Sequence, residues 1–480
     1  MKILINQYIW LVIVILLAFS LRLYKIDAPI ADWHSWRQAD TASVTRSFIK
    51  EGFNPFIPKY DDMSGVAEKP IPNPGRFRFV EFPIYNIAVY PFYLVFGVNE
   101  AYHRLVSVLF SLGSITFIYF ITRKYLGVAT ALLSGLFFAV LPFNVFFSRT
   151  TLPEPTFIFF SLGMIYFLDR WIDERKKVLL LIGVVFTITA FLMKPWAIFF
   201  TPPLIYASLK NRIFKKFLVI LILCLIPFLM WRLFILSHPE GIPASNWLLN
   251  GDEIRFRPAF WWWIISERLG GEILGVTGLT LFIIGLIIKS KTYFFHIWAI
   301  SFFAYFAIFA TGNVRHNYYQ TSFLPIAAIF LSLGVINLVR GLEGFIPRIW
   351  TIALAILLLP LTVYFTWVPV KEFYKINNST IAEVGKAADQ ILPEEAVVLA
   401  PYNGDTALLY HINRHGWPVT AFPIPELVSF YGVTHYVSTS YDSKTNWVKR
   451  HFLVVKENKD YLIADLTKII KPLSKEDPEP

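Results

Sequence analysis

LVSVLFSLGSITFIYFIT, residues 105–122, carries no charged side chain and is closed by Arg123 and Lys124. Coiled as a helix, such a run reaches roughly 27 Å, close to the thickness of the hydrocarbon core of a bilayer. Ten further uncharged or nearly uncharged runs, at 3–21, 125–148, 155–168, 178–193, 195–209, 217–231, 273–288, 293–314, 316–339 and 349–370, read the same way, the shorter ones with flanking residues added. The expected fold is therefore an α-helical polytopic membrane protein of about eleven transmembrane helices. Composition agrees: over 480 residues the chain is 56% hydrophobic and only 16% charged, well under the quarter usual in soluble domains. The run at 3–21 has no small-residue cleavage site after it and reads as a retained first helix.

The net charge of +11 raises nucleic acid as a partner, but its distribution argues for membrane orientation. Basic residues fall in alternate connections: Arg123 and Lys124; Arg170, Arg175, Lys176 and Lys177; Lys210, Arg212, Lys215 and Lys216; Lys289 and Lys291; Arg340 and Arg348. By the positive-inside rule these, with Lys2, face the cytoplasm. The first loop (24–102), the loop 237–271 and the tail from 371 then emerge together on the extracytoplasmic side of a plasma or inner membrane. Pro83 to Val98 is also apolar, yet counting it as a span would invert every later basic loop, so it reads as a half-inserted or surface helix. Residues 1–370 form the expected membrane domain and 371–480 a small soluble α/β domain. That domain carries the helical pattern TIAEVGKAADQIL and short strands at 396–400, 434–438 and 452–455, and its polar end, KEDPEP, reads as frayed. The single cysteine, Cys224, rules out an intramolecular disulfide and a cysteine-based metal site.

Candidate chemistry gathers in the outer segments. In ADWHSWRQADTASVTRSF (31–48), His34, Arg37, Asp40 and Thr41 recur at three-to-four-residue spacing and share a helical face. The plain alternative is a solvated amphipathic helix. In RFRFVEFPIYN, Glu81 precedes a proline-initiated apolar helix, where its carboxylate can orient a cation, bind a divalent metal or answer the helix dipole. SRTTLPEPTF holds Arg149 and Glu154 in an otherwise uncharged hairpin, where ionisable groups are costly and usually functional; a hairpin-closing salt bridge between the two is the simpler reading. Lys194, in FLMKPW, invites the same argument, against snorkelling to the interface. Arg255 and Arg257 precede the Trp-rich stretch PAFWWWII, and Arg315, His316, Tyr318 and Tyr319 stand above the next span. Cations converging on this face suit an anionic phosphate at headgroup depth, although tryptophans there are also ordinary interfacial anchors. No Gly-rich phosphate loop and no close metal-ligand spacing occurs.

Together these features resemble the C-type glycosyltransferases, in particular the protein O-mannosyltransferases and lipid A aminoarabinose transferases. The likeness covers nearly the whole membrane part. It rests on Gln38-Ala39-Asp40 with Arg46, on Glu81-Phe82-Pro83-Ile84-Tyr85, on Arg149 and Glu154-Pro155, on the Lys194-Pro195 turn, and on Tyr318-Tyr319 with Leu324-Pro325. The pattern departs twice: Arg37 stands where the family has Asp-Glu, with Asp40 one turn on, and Phe82 stands where the aminoarabinose transferases have lysine.

The resemblance implies transfer of a hexose or pentose from a polyprenyl-phosphate carrier to a lipid, glycan or protein acceptor of the cell envelope, with a carboxylate as base. Asp40 is the first choice for that base and Glu154 the second. Lys194, Arg255, Arg257 and His316 would hold the donor phosphate, and His34, Arg37, Glu81, Arg149, Tyr318 and Tyr319 the remaining substrate contacts. Asp40→Asn is expected to stop transfer and leave folding intact. The rival readings are a transporter or lipid flippase and a non-enzymatic receptor or scaffold; against the first, polar residues collect at outer span ends rather than at mid-bilayer.

Overall fold

The computed structural model of the protein describes residues 2–66, 71–288, 292–342, 345–376, 378–473 and 477–480; Lys289 and Lys291 of the fourth basic connection lie outside the described residues. By packing, the chain divides differently from its covalent order. One unit is Met1–Ile26, His103–Leu233 and Ser245–Tyr374, and the other is Asp27–Tyr102, Phe234–Ala244 and Lys375–Pro480.

The first unit is helical, and each of the eleven apolar runs forms helix. Among the described residues, four helices are individually long and apolar enough to cross a membrane: Glu100–Leu126, Phe214–Ile235, Asn317–Leu342 and Arg348–Tyr374. Proline divides two of the other runs, because it cannot donate to the preceding turn. Run 125–148 becomes Val128–Val140 and Pro142–Phe147, and run 195–209 becomes a 3-10 turn, Pro195–Phe200, followed by Pro202–Lys210. Helix length alone therefore does not establish a count of eleven complete spans.

Burial separates the helices by role. The apolar window of Asn317–Leu342 is 78% buried within the protein, whereas those of Phe214–Ile235 and Arg348–Tyr374 are 22% and 17% buried, so the first is a central helix and the other two present apolar surface outward. At the centre, helices Gly275–Ile287 and Leu324–Leu342 meet through glycines. A Cβ on Gly285 would lie 2.1 Å from the Phe330 carbonyl oxygen, and one on Gly334 1.9 Å from that of Leu281, so only hydrogen fits at this backbone approach. The Trp-rich segment Pro258–Ile273 turns through 113° into Gly275–Ile287 at Gly275, whose φ of +67° suits glycine.

The second unit is built on a five-stranded sheet of order β2-β1-β3-β5-β4, with β1 Val397–Leu399, β2 His415–Trp417, β3 His435–Ser438, β4 Phe452–Glu457 and β5 Leu462–Ile469. β1 runs parallel to β2 and β3, and β5 pairs antiparallel with β3 and β4. The strands expected at 396–400, 434–438 and 452–455 are β1, β3 and β4, and the helical pattern is Thr380–Ile391. β2 and β5 escaped the sequence reading. β5 alternates weakly because its first five residues are all buried, and β2 is three residues long.

The first loop completes this unit. Backbone hydrogen bonds from Gly416 N to Asp61 O (2.9 Å) and from Met63 N to Gly416 O (2.7 Å) add the loop to the free edge of β2, which satisfies groups an edge strand otherwise leaves open. Helix Ser35–Lys50 contributes Ala39 and Ala42 to one core with Val384, Ala407, Leu408 and Val437. The apolar stretch 83–98 forms helix Ile84–Phe96, thirteen residues long, and at 1.5 Å per residue it is too short to span a bilayer. Of the polar end, Lys475 and Glu476 lie outside the described residues, and residues 477–480 are docked rather than frayed: Asp477 accepts from Arg450 (2.9 Å) and His451 (3.1 Å), and Glu479 accepts from Ile424 N (2.7 Å).

Candidate functional site

In the second unit the candidates centre on helix Ser35–Lys50, which begins after His34, a residue held in the left-handed region (φ +57°). From Arg37 to Phe48 the helix is buried, so it is not a solvated amphipathic surface helix. A polar helix can be buried only if its side chains are paired, and here they are. Gln38 donates to Asp32 (2.6 Å), and Arg37 pairs with Glu81 (2.5 Å) and donates to Thr41 (3.3 Å). Asn86 donates to Thr41 O and to Thr45 Oγ1. Arg46 pairs with Asp61, donates to Tyr410 O and covers the Tyr410 ring at 4.3 Å. Of the roles open to Glu81, the geometry displays the orientation of a cation, Arg37.

Asp40, at 4% exposure, is enclosed with them. Its Oδ2 lies 2.7 Å from Arg78 Nη2, and its Oδ1 accepts from Thr406 Oγ1 at 2.7 Å; Thr406 Oγ1 also lies 3.0 Å from Trp36 O, which shares the same proton. Two more carboxylates lie in its field. Burial, with a smaller push from Asp40, raises Asp62 to about 6, against the hydrogen bonds it accepts from Ser64. Burial likewise raises Asp405, which accepts from Ser35 at 2.6 Å. This geometry corrects the expectation that Asp40→Asn leaves folding intact, because Arg78, itself buried, would lose its counter-charge.

In the first unit, Arg149 and Glu154 do not close the hairpin with each other. Glu154 Oε1 pairs with Lys194, and both side chains are nearly fully buried, so Lys194 does not snorkel. Glu154 Oε2 has no hydrogen-bond partner among the described residues. It lies beside a cavity of about 10 Å³ lined by Ser111, Ser114, Asn144, Ser148 and Thr321. Arg149, also buried, donates to Lys25 O (2.8 Å) and stacks on Phe146 and Tyr374.

From Lys194 a run of rings follows, buried at Tyr318 and half-buried at Trp196, Trp247, His316 and Tyr319. The ammonium lies 4.8 Å from the Trp196 ring, Trp196 meets Tyr319 at 5.3 Å, Tyr319 meets His316 at 5.8 Å, and His316 meets Trp247 at 5.6 Å and Tyr318 at 5.5 Å. Arg315 covers Trp247 at 5.3 Å. The fold thus gathers Glu154, Lys194, His316, Tyr318 and Tyr319. Arg255 and Arg257 instead donate to main-chain carbonyls, Arg255 to Leu249 and Ile308 and Arg257 to Asp252.

The sequence reading missed Arg78, Thr406, Asp61, Asp62 and Trp196. Arg78 lies within the RFRF motif and Trp196 within the Lys-Pro turn, so both were close at hand. Thr406, 366 residues from Asp40, gives no local signal.

Residues 83–231 match the family model for dolichyl-phosphate-mannose-protein mannosyltransferase. An uncharacterized protein of Aquifex aeolicus (strain VF5) is 42% identical over 81 residues, 16% of this chain and 20% of that protein's length. ArnT from Cupriavidus metallidurans, solved bound to undecaprenyl phosphate, superposes with a TM-score of 0.67 at 13% identity, over 95% of this chain and 98% of that one. The oligosaccharyltransferase of Archaeoglobus fulgidus superposes with a TM-score of 0.57 at 12% identity, over 90% of this chain and 69% of that one. The fold is that of the C-type glycosyltransferases.

Proposed function

We propose that this chain is a membrane glycosyltransferase that moves a sugar from a polyprenyl-phosphate donor to an acceptor hydroxyl at the extracytoplasmic face. The observation that carries the reading is the end-to-end correspondence in fold with ArnT, a protein solved with undecaprenyl phosphate. A polyprenyl-phosphate sugar cannot leave the bilayer, so its anomeric carbon must be attacked at headgroup depth. Its phosphate then needs positive charge already in place.

Geometry reorders the two carboxylates. A base needs one oxygen fixed and one available. Glu154 meets this condition, with Oε1 on Lys194 and Oε2 unengaged, whereas both oxygens of Asp40 are occupied. In this reading Glu154 takes the acceptor proton and Lys194 holds it in place, while Asp40 anchors the first loop. Asp40, whose Oδ1 has the neutral Thr406 as its partner, stays the second candidate. With the charge of Lys194 answered by Glu154, the donor phosphate is left to His316, Arg255 and Arg257.

The test is turnover by the purified protein in nanodiscs with a panel of polyprenyl-phosphate hexoses and pentoses, following release of polyprenyl phosphate. Release that depends on protein and acceptor supports the reading. A protein that binds the donor and releases nothing across acceptor lipids, glycans and peptides, but moves it between leaflets, is a flippase instead.

A further inference from the structure

The first unit contains a second, larger cavity, of about 580 Å³. Leu21 and Tyr24 at the end of the first helix, Val145 of the hairpin, and Val363, Trp367 and Tyr374 at the end of the last apolar helix form its walls. Among the described residues no charged side chain lines it. Leu21, Tyr24 and Trp367 are 37%, 52% and 39% exposed, so the cavity opens on the outward apolar surface of the helices, where a bilayer would supply its contents.

One end is cationic. There the rings of Tyr24 and Tyr374 meet edge to face at 5.2 Å. Exposed Lys25 donates to Tyr374 O at 3.1 Å and lies 5.7 Å from the Tyr24 ring centroid. Arg149 covers Tyr374 at 4.7 Å. Lys371 and Glu372, on the turn that ends at Tyr374, cancel each other, so the excess charge at this end is positive.

We propose that this groove binds one acyl chain of an anionic phospholipid, with the lipid phosphate on Lys25. An apolar slot that ends at an exposed lysine has the polarity of such a lipid from tail to head. Its volume also selects the occupant: at roughly 30 Å³ for a water-sized group, 580 Å³ corresponds to about twenty such groups. That is the size of one fatty-acyl chain. The site is independent of the sugar-transfer reading.

The experiment uses the full-length protein in nanodiscs with phosphatidylglycerol or phosphatidylcholine bearing a photoactivatable acyl chain, and mass spectrometry to map the crosslinks. Phosphatidylglycerol should label residues 140–145 and 359–367 more densely than the outward helix Phe214–Ile235. Val363→Trp, which fills the slot, should remove most of that labelling, and Leu223→Trp on the outward helix should not. Lys25→Gln, a surface change that leaves the fold intact, should lower the preference for phosphatidylglycerol over phosphatidylcholine by about fivefold. Uniform labelling of both regions, or a preference that survives Lys25→Gln, overturns the proposal. So does displacement of the phosphatidylglycerol probe by equimolar undecaprenyl phosphate, which would assign the groove to the carrier.

Discussion

Asp40→Asn is the substitution on which the geometry and the simplest chemical reading part. The side chains of Asp40 and Arg78 are 5% and 7% exposed and their charged atoms lie 2.7 Å apart. Removing one partner of such a buried pair costs about 3–5 kcal/mol, because the other charge stays buried without compensation. The lower end applies here. Asp62 already feels both Asp40 and Arg78, and once Asp40 is neutral it ionises more readily and answers part of the Arg78 charge. A loss of about 3 kcal/mol corresponds to a fall in melting temperature on the order of 10 °C for a unit of this size. Arg78→Met added to Asp40→Asn should restore most of it, since the stranded charge is then gone. The assay is thermal unfolding of the four proteins of the cycle in nanodiscs, with transfer measured per folded molecule. Folded Asp40→Asn should keep transfer within about tenfold of the parent, while Glu154→Gln should lose on the order of a hundredfold to ten-thousandfold, the contribution of a positioned base. An Asp40→Asn protein that melts with the parent and transfers nothing would refute the structural role and return the base to Asp40.

Other consequences can be measured separately. Burial raises Asp62 from 3.8 to about 6, so the folded state binds more protons than the unfolded one between those values and loses stability as pH rises through them. Asp62→Asn should therefore leave the melting temperature little changed near pH 4 and raise it at pH 8, by the equivalent of at most about 3 kcal/mol; an equal shift at both would exclude titration of Asp62. Gly334→Ala places a methyl group 1.9 Å from the Leu281 carbonyl oxygen, whereas a Cβ on Gly341 meets nothing within 4 Å. Size-exclusion profiles should show a loss of monodisperse protein for the first and none for the second, and equal profiles would refute the close helix approach. Cys224 is buried and Ser440 exposed, so a cysteine at Ser440 should react with a membrane-impermeant thiol reagent in intact cells or spheroplasts. Labelling only after permeabilisation would invert the orientation drawn from the basic loops.

The parts of this protein that were legible in its sequence are those set by neighbours along the chain. An uncharged run of the length of 105–122 has few places to go but a bilayer or a helical core, so the eleven helical runs could be written down directly. Short apolar stretches marked β1, β3 and β4, and period 3.6 marked Thr380–Ile391, because both signals lie within a few consecutive residues. Clustered ionisable groups at span ends likewise pointed to Asp40, Glu81, Arg149, Glu154 and Lys194. What each of those groups does was decided only by the tertiary fold, because a charge in a low-dielectric interior is governed by whatever lies within a few ångströms, wherever that residue stands in the chain. The fold gave Asp40 to Arg78 and Thr406, gave Glu154 to Lys194 rather than to Arg149, and sank the polar helix Ser35–Lys50 into the core of a domain encoded more than 300 residues later. Charge spacing alone had left that helix free to lie in solvent; apolar contacts through Ala39 and Ala42, and one ion pair for each buried charge, determine that it does not.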